Sequence, residues 1–168
     1  MDLSKSHRRA VSGIFLAAVL VSGMMSACDE RGAASPLFFA RTLDGERYTS
    51  QSLAGNPVLI QFWATWCPRC RGDQPAVDAI ARDYADKGLV VLAVDVGESK
   101  RTVRSYLSRS PRRCKIVLNE DTNLAAVFQA KAVPLYVLIG KDGNVAGTQE
   151  GAGGEALLRR FIRRAGLQ

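Results

Sequence analysis

An uninterrupted apolar stretch, Val58-Leu-Ile-Gln-Phe-Trp63, runs almost directly into Trp66-Cys67-Pro68-Arg69-Cys70. Beyond the second cysteine, apolar residues recur every three or four positions at Ala76, Val77, Ile80 and Tyr84. The stretch has strand length, starts after Gly55-Asn56-Pro57 and lacks polar alternation, which is the pattern of a strand covered on both faces. The period that follows is helical and stops at Lys87-Gly88, as a helix with a C-terminal glycine does. A buried strand that gives way to a helix within a few residues implies layered α/β architecture, with both cysteines at the turn between the two.

The remaining chain extends that pattern. Leu37–Arg41 and Arg47–Thr49 flank Asp44-Gly45, a hairpin signal ahead of the buried strand. After it come a strand over Leu89–Val94, a helix marked by Val103 and Leu107 that Ser110-Pro111 ends, and a short strand over Ile116–Leu118. A short helix over Leu124–Phe128, a hairpin of Leu135–Ile139 with Val145–Thr148, and an amphipathic helix over Glu155–Ala165 complete the series. The expected fold class is α/β, a mixed central sheet with helices on both faces and an N-terminal β-hairpin extension. No internal repeat is present, which removes solenoid architectures. A chain of 168 residues has room for one such domain plus an export segment.

Cys67 is placed at a helix N-terminus, where unpaired N–H groups and the helix dipole favour a thiolate, the attacking form of the thiol. Two intervening residues return Cys70 toward it on the first turn, so a mixed disulfide at Cys67 can be resolved internally. Pro68 suits the first helical position, where a missing N–H costs little, and Arg69 adds a positive charge that favours the thiolate further. Zinc asks for about four nitrogen or sulfur ligands, whereas the domain offers only Cys114 besides this pair, and the single histidine, His7, precedes it. A purely structural disulfide over so short a span would constrain the unfolded chain little. The pair therefore reads as redox-active, with no metal and no organic cofactor, and Cys67 and Cys70 are the candidate catalytic residues.

The first 27 residues carry a basic start, an apolar run from Ala10 through Val21 and small residues before Cys28, the layout of a signal segment. Met25-Ser26-Ala27-Cys28 resembles a bacterial lipobox, with Met25 where leucine is usual, which makes Cys28 the expected lipidation site. The alternatives are an uncleaved anchor, since Ala10–Ala27 is 18 residues of low polarity, or cleavage and release. Residues 28–36 are small and polar, reading as a tether, and 37–168 as the domain. Asp29 after Cys28 resembles the retention signal of inner-membrane lipoproteins. The expected location is therefore the periplasmic side of the inner membrane.

The formal charge is +7, and Lys5, Arg8 and Arg9 against Asp2 account for two of those charges. The densest remaining runs, Arg101 with Arg104, Arg112-Arg113, and Arg159-Arg160 with Arg163-Arg164, lack aromatic interleaving. They read as solvated helix faces rather than a nucleic-acid patch, with a residual bias toward acidic partners or anionic lipid.

Phe62-Trp63-Ala64-Thr65-Trp66-Cys67-Pro68-Arg69-Cys70 resembles the active-site strand and loop of thioredoxins. The fuller pattern is similar to the TlpA/ResA-like branch of membrane-anchored extracytoplasmic oxidoreductases, with further matches at Leu92–Ser99, at Val133-Pro134-Leu135 and at Asp142-Gly143. The likeness spans residues 37–165. It implies a thioredoxin-like fold, a cis-proline at Pro134 against the disulfide, and a Val133 backbone available to an extended substrate. Trp66 belongs either to the rim over Cys67 or to the core. Two positions depart from the relatives: Gln61 stands where thioredoxin has a buried Asp, and Asp73 where ResA-like proteins have a Glu. Asp73 is thus a candidate proton acceptor for the resolving thiol, or else a helix-dipole residue. Cys114 matches no required thiol. The resemblance implies dithiol–disulfide exchange with protein thiols and disulfides, running as reductant with electrons from a membrane donor, on targets such as apocytochrome c. A thiol oxidase or isomerase, and a non-catalytic binding module, are the alternative readings. Peroxide reduction is disfavoured, because thioredoxin-fold peroxidases do not usually attack through a tryptophan-flanked Cys-x-x-Cys.

Overall fold

The structure is a computed structural model that describes residues 33–167. The expected signal segment, Cys28 and most of the expected tether lie outside the described residues. Strands β1 (Phe39–Thr42), β2 (Arg47–Thr49) and β3 (Val58–Trp63) lead into helix α1 (Pro68–Asp83). Then follow β4 (Val90–Asp95), α2 (Lys100–Leu107), β5 (Lys115–Thr122), α3 (Leu124–Val127), β6 (Leu135–Ile139), β7 (Val145–Glu150) and α4 (Gly154–Arg163). The seven strands form one sheet in the order β2-β1-β5-β4-β3-β6-β7. The β3–β4 and β4–β5 pairs are parallel; the others are antiparallel.

β3 is central and every one of its residues is buried, as its unbroken apolar run requires. Its side chains alternate between two cores. Leu59 and Trp63 face a cluster with Val77 and Ile80 of α1, Val103 of α2 and Leu158, Phe161 and Ile162 of α4. Val58, Ile60 and Phe62 face the second, with Leu92, Val94, Leu124, Val137 and Phe38. Helices thus cover both faces, unequally: three pack on one, and the other is closed by the one-turn α3 and the N-terminal segment.

Several boundaries differ from the sequence expectation, three of them for a reason visible in the structure. β5 runs to Thr122 rather than stopping at Leu118, because its polar end pairs with β1 at Ala40↔Thr122 and so needs no apolar side chains. The helix ending at Gly88 is two pieces, α1 to Asp83 and a 3-10 turn over Ala85–Lys87, with Gly88 left-handed at φ 80°. Ordered structure also begins before Leu37: the Ser35 N–H donates to the Gly143 carbonyl and the Val145 N–H to the Ala33 carbonyl, so the end of the expected tether is pinned to the β6–β7 hairpin.

The arginine runs also divide. Arg101 and Arg104 are exposed on α2, as read from their spacing. Arg112-Arg113 is not on a helix, and the Arg112 side chain is only 1% exposed. The solvated-face reading fails there, because Arg112 folds inward onto Trp63 and Gln61.

Candidate functional site

Parallel β3 and β4 end on the same edge of the sheet, and antiparallel β6 begins there, since Phe62 is paired with Leu135. The carboxyl ends of parallel strands leave a crevice in open α/β sheets. Three loops therefore meet at this edge: Ala64–Cys67 after β3, Val96–Ser99 after β4, and Val133-Pro134 before β6.

Cys67 is the N-cap of α1, with extended backbone, and its Sγ accepts a hydrogen bond from the Cys70 N–H at 3.1 Å. Pro68 occupies the first turn, which contains no acidic residue. Cys67 and Cys70 are disulfide-bonded with Cα atoms 5.3 Å apart. Both are nearly buried, Cys67 at 3% exposure and Cys70 at 2%. The first sulfur is therefore nearly closed to solvent in this oxidised state. Trp66 is 62% exposed, which places it on the rim and removes the core alternative. Arg69 is exposed.

Val133-Pro134 is a cis peptide bond. Val133 is half-buried against the cluster that contains both cysteines. It makes no hydrogen bond with any described residue, so its N–H and carbonyl are free to pair with an extended chain, while the Pro134 carbonyl accepts from Gly151 N–H at 2.8 Å.

Asp73 is buried at 4% exposure. Its Oδ2 accepts from the Tyr136 hydroxyl at 2.9 Å and the Gly153 N–H at 3.1 Å, and its Oδ1 from the Gly154 N–H at 3.0 Å. The carboxylate thus ties α1 to the start of α4, and no hydrogen bond joins it to either sulfur. Behind it runs a directional chain. Arg112 Nη2 donates to Gln61 Oε1 at 2.6 Å, Gln61 Nε2 donates to the Tyr136 hydroxyl at 3.1 Å, and Tyr136 donates to Asp73. A guanidinium can only donate, which fixes the amide orientation and in turn the hydroxyl. Gln61 therefore does what an Asp could not: it accepts at one end and donates at the other. Burial, followed by the Asp73 charge, pushes the Tyr136 hydroxyl far above its ordinary value, so it stays a neutral donor. Arg112 also lies 4.8 Å over the Trp63 ring and 4.0 Å from Asp78.

A second buried acid was missed from the sequence. Asp95 ends β4 with no exposed surface, and its Oδ1 accepts the Glu98 N–H at 3.0 Å. Desolvation first, then hydrogen bonding with the Glu98 carboxyl, raise it to about 7. Its Oδ2 has no hydrogen-bond partner among the described residues. Both facts fit a buried carboxyl that holds its proton. Burial opposes the Glu98 charge, but hydrogen bonds with Asp95 and with the Thr65 side chain and backbone together hold it below the usual carboxylate range. Glu98 in turn accepts from Thr65 N–H at 2.5 Å and Thr65 Oγ1 at 2.6 Å, two residues before the first cysteine. The available signal was a carboxylate closing a wholly apolar strand in Leu92-Ala-Val-Asp-Val-Gly-Glu-Ser99. Cys114 is free and buried, and burial pushes its thiol up to about 11, making it inert. Among the described residues no cluster of three or more His, Cys, Asp or Glu could hold a metal, and no helix is long and apolar enough to cross a membrane.

A Cys-x-x-Cys disulfide at the start of the first long helix, sharing its sheet edge with a cis X–Pro bond, is the arrangement of the thioredoxin-fold thiol–disulfide oxidoreductases. The chain belongs to the AhpC/TSA family, whose model matches residues 32–148, and within the thioredoxin-fold proteins it is of the TlpA/ResA-like kind. It is 26% identical over 114 residues to the thiol-disulfide oxidoreductase ResA of Bacillus cereus, covering 68% of this chain and 66% of that one, just under two thirds of the relative's length. It is 31% identical over 117 residues to the thioredoxin-like protein YneN of Bacillus subtilis, covering 68% of each. Among solved structures, a thiol:disulfide interchange protein of the thioredoxin family from Chlorobium tepidum superposes with a TM-score of 0.71 at 27% identity, covering 82% of this chain and 98% of that one.

Proposed function

We infer that the protein is an extracytoplasmic dithiol–disulfide exchanger that reduces disulfides of protein substrates, with Cys67 as nucleophile and Cys70 as resolving thiol. The observation that carries this reading is the Cys67 sulfur at the helix N-cap, accepting the Cys70 N–H. The donor that now meets a disulfide sulfur would meet a thiolate in the reduced state, with the helix dipole adding to it. The Cys67 thiolate attacks one substrate sulfur and expels the other as a thiolate, leaving a mixed disulfide. Cys70, as thiolate, then attacks Cys67 Sγ and expels the second substrate thiolate. Two electrons pass to the substrate, two protons are taken up by its sulfurs, and the Cys67–Cys70 disulfide forms. Val133 supplies backbone pairing for the extended substrate, and Trp66, Pro68, Arg69 and Pro134 shape the surface around the sulfurs.

The reducing direction follows the resemblance to ResA-like proteins, which also suggests a membrane electron donor, cytochrome c maturation as the setting, and lipid attachment at Cys28 on the outer side of the inner membrane. Neither a metal nor an organic cofactor enters this scheme.

A Cys70→Ser variant tests it by accumulating mixed disulfides on Cys67, which identifies the substrates. A reduction potential near ~−270 mV supports a reductant, while one near ~−120 mV would assign an oxidant instead. Failure of the dithiothreitol-reduced protein to reduce insulin would favour a binding module.

A further inference from the structure

Beside the disulfide, between the Thr65–Trp66 turn and α2, lies an open groove of about 520 Å³ lined by Trp66, Tyr106, Arg71, Arg101 and Arg109, with no acidic residue in its wall. Four arginines elsewhere in the described structure are met by carboxylates: Arg41 by Asp121, Arg82 by Asp83, Arg112 by Asp78, Arg159 by Asp83 and Glu155. The groove arginines are not. Arg71 Nη1 donates only to the Thr65 carbonyl at 3.3 Å, Arg109 Nη1 only to Ser105 Oγ at 3.5 Å, and Arg101 has no partner among the described residues.

The nearby acid that could have neutralised them, Glu98, is turned onto Thr65 and Asp95. The groove is also firmly built. The Tyr106 hydroxyl donates to Gln74 Oε1 at 2.7 Å, its ring lies 5.6 Å from that of Trp63, and Gln74 Nε2 donates to Ser110 Oγ at 2.9 Å, so α2 is fixed to α1. Three uncompensated guanidinium groups on a fixed surface, next to an exposed indole, form a charged cleft that attracts and orients an oppositely charged chain.

We propose that this groove is a substrate-selecting subsite that receives an acidic segment flanking the substrate's disulfide, its carboxylates meeting Arg71, Arg101 and Arg109 while the backbone crosses Trp66. The proposal rests on the exchange reading above and adds the substrate class. A groove facing anionic lipid is the competing use of the same charge. The acidic protein segment is favoured because the groove is continuous with Trp66, one residue from the reactive sulfur, where a bound protein disulfide must bring its flanking residues.

The test uses the full chain in neutral detergent micelles and a double variant, Arg101→Glu with Arg109→Glu. Both positions are exposed and outside the exchange machinery, so the fold is preserved. Two cystine peptides identical except for flanking Glu or Lys residues are compared, with uncharged hydroxyethyl disulfide as the reference substrate. Wild type should favour the Glu peptide in kcat/KM by ~10-fold at low salt, with the preference shrinking as salt rises. The variant should lose or invert that preference and reduce hydroxyethyl disulfide at the wild-type rate. Equal kcat/KM for the two peptides in wild type, or an unchanged preference in the variant, overturns the proposal. A tryptophan fluorescence shift on adding phosphatidylglycerol that the variant loses, with no peptide preference, would overturn it in favour of lipid. No turnover of hydroxyethyl disulfide by wild type would remove the exchange reading itself, and the subsite with it.

Discussion

Three donors converge on the Asp73 carboxylate, and they come from residues 63, 80 and 81 positions away. An amide could not match them, because one of its two heavy atoms is itself a donor. Asp73→Asn should therefore lower stability by about 1–3 kcal/mol, seen as a fall in the urea midpoint, with turnover of the folded fraction nearly unchanged. Slowing of mixed-disulfide resolution by ~10–100-fold would instead show Asp73 moving a proton for Cys70. Asp95 gives a pH signature. Its carboxyl is raised in the folded state to about 7 by burial first and the Glu98 carboxyl second, so the folded state binds this proton more tightly than the unfolded one. That contribution to stability is complete below the unfolded value near ~4 and is lost as pH rises through about 7, at up to ~1.4 kcal/mol per pH unit. Asp95→Asn keeps the Oδ1 acceptor for the Glu98 N–H and cannot ionise. Urea titrations from acid to mildly alkaline pH should show wild type losing stability across that window and the variant losing less; parallel curves would rule out a proton held on Asp95. Neither site was fully legible in the sequence. The place of Asp73 three residues after Cys70 drew attention to it, but its donors lie too far along the chain for spacing to show them. Arg112 was misread for the same reason, since its acceptor Gln61 is 51 residues away.

At the scale of elements, the turn from β3 into α1 was legible because each half carries its own signal: an unbroken apolar run, then Cys67-Pro68 as cap and first residue ahead of a helical period. β5 was cut short because its last residues hold their place through backbone pairing with β1, which leaves no hydrophobic trace. The junction of α1 with α4 was invisible for a related reason. It depends on two backbone N–H groups, at Gly153 and Gly154, and the second residue is left-handed at φ 66°. A side chain there costs about 1–2 kcal/mol in backbone strain, and relief of that strain would turn the N–H away from Asp73. Gly154→Val should therefore destabilise the fold more than that cost alone, and the excess should vanish in the Asp73→Asn background. A double-mutant cycle in urea measures the coupling; strictly additive losses would show that the α4 start does not depend on the carboxylate.

For the whole molecule, the sheet edge that holds the disulfide also holds the basic groove, so the proposed chemistry and substrate choice share one surface. What remains is how such a domain is kept at its place of work. The run from Ala10 to Ala27 is 18 residues; as a helix it would be about 27 Å long at 1.5 Å per residue, short of a ~30 Å hydrocarbon core. An uncleaved span would have to thin the bilayer or bring polar flanks into it. Diacylglycerol on Cys28 meets no such constraint. Each buried methylene contributes about 0.8 kcal/mol, and two acyl chains together give the stable attachment that a single chain does not. In membranes from cells producing the full chain, mass spectrometry should therefore find an N-terminal peptide that begins at a diacylglycerol-modified Cys28 and lacks residues 1–27. Cys28→Ala, which removes the acceptor thiol, should leave residues 1–27 attached and the modified peptide absent. Recovery of the intact N-terminus from the wild-type chain would assign the anchor to the apolar run instead, and recovery of an unmodified Cys28 peptide in the soluble extracytoplasmic fraction would show cleavage without attachment.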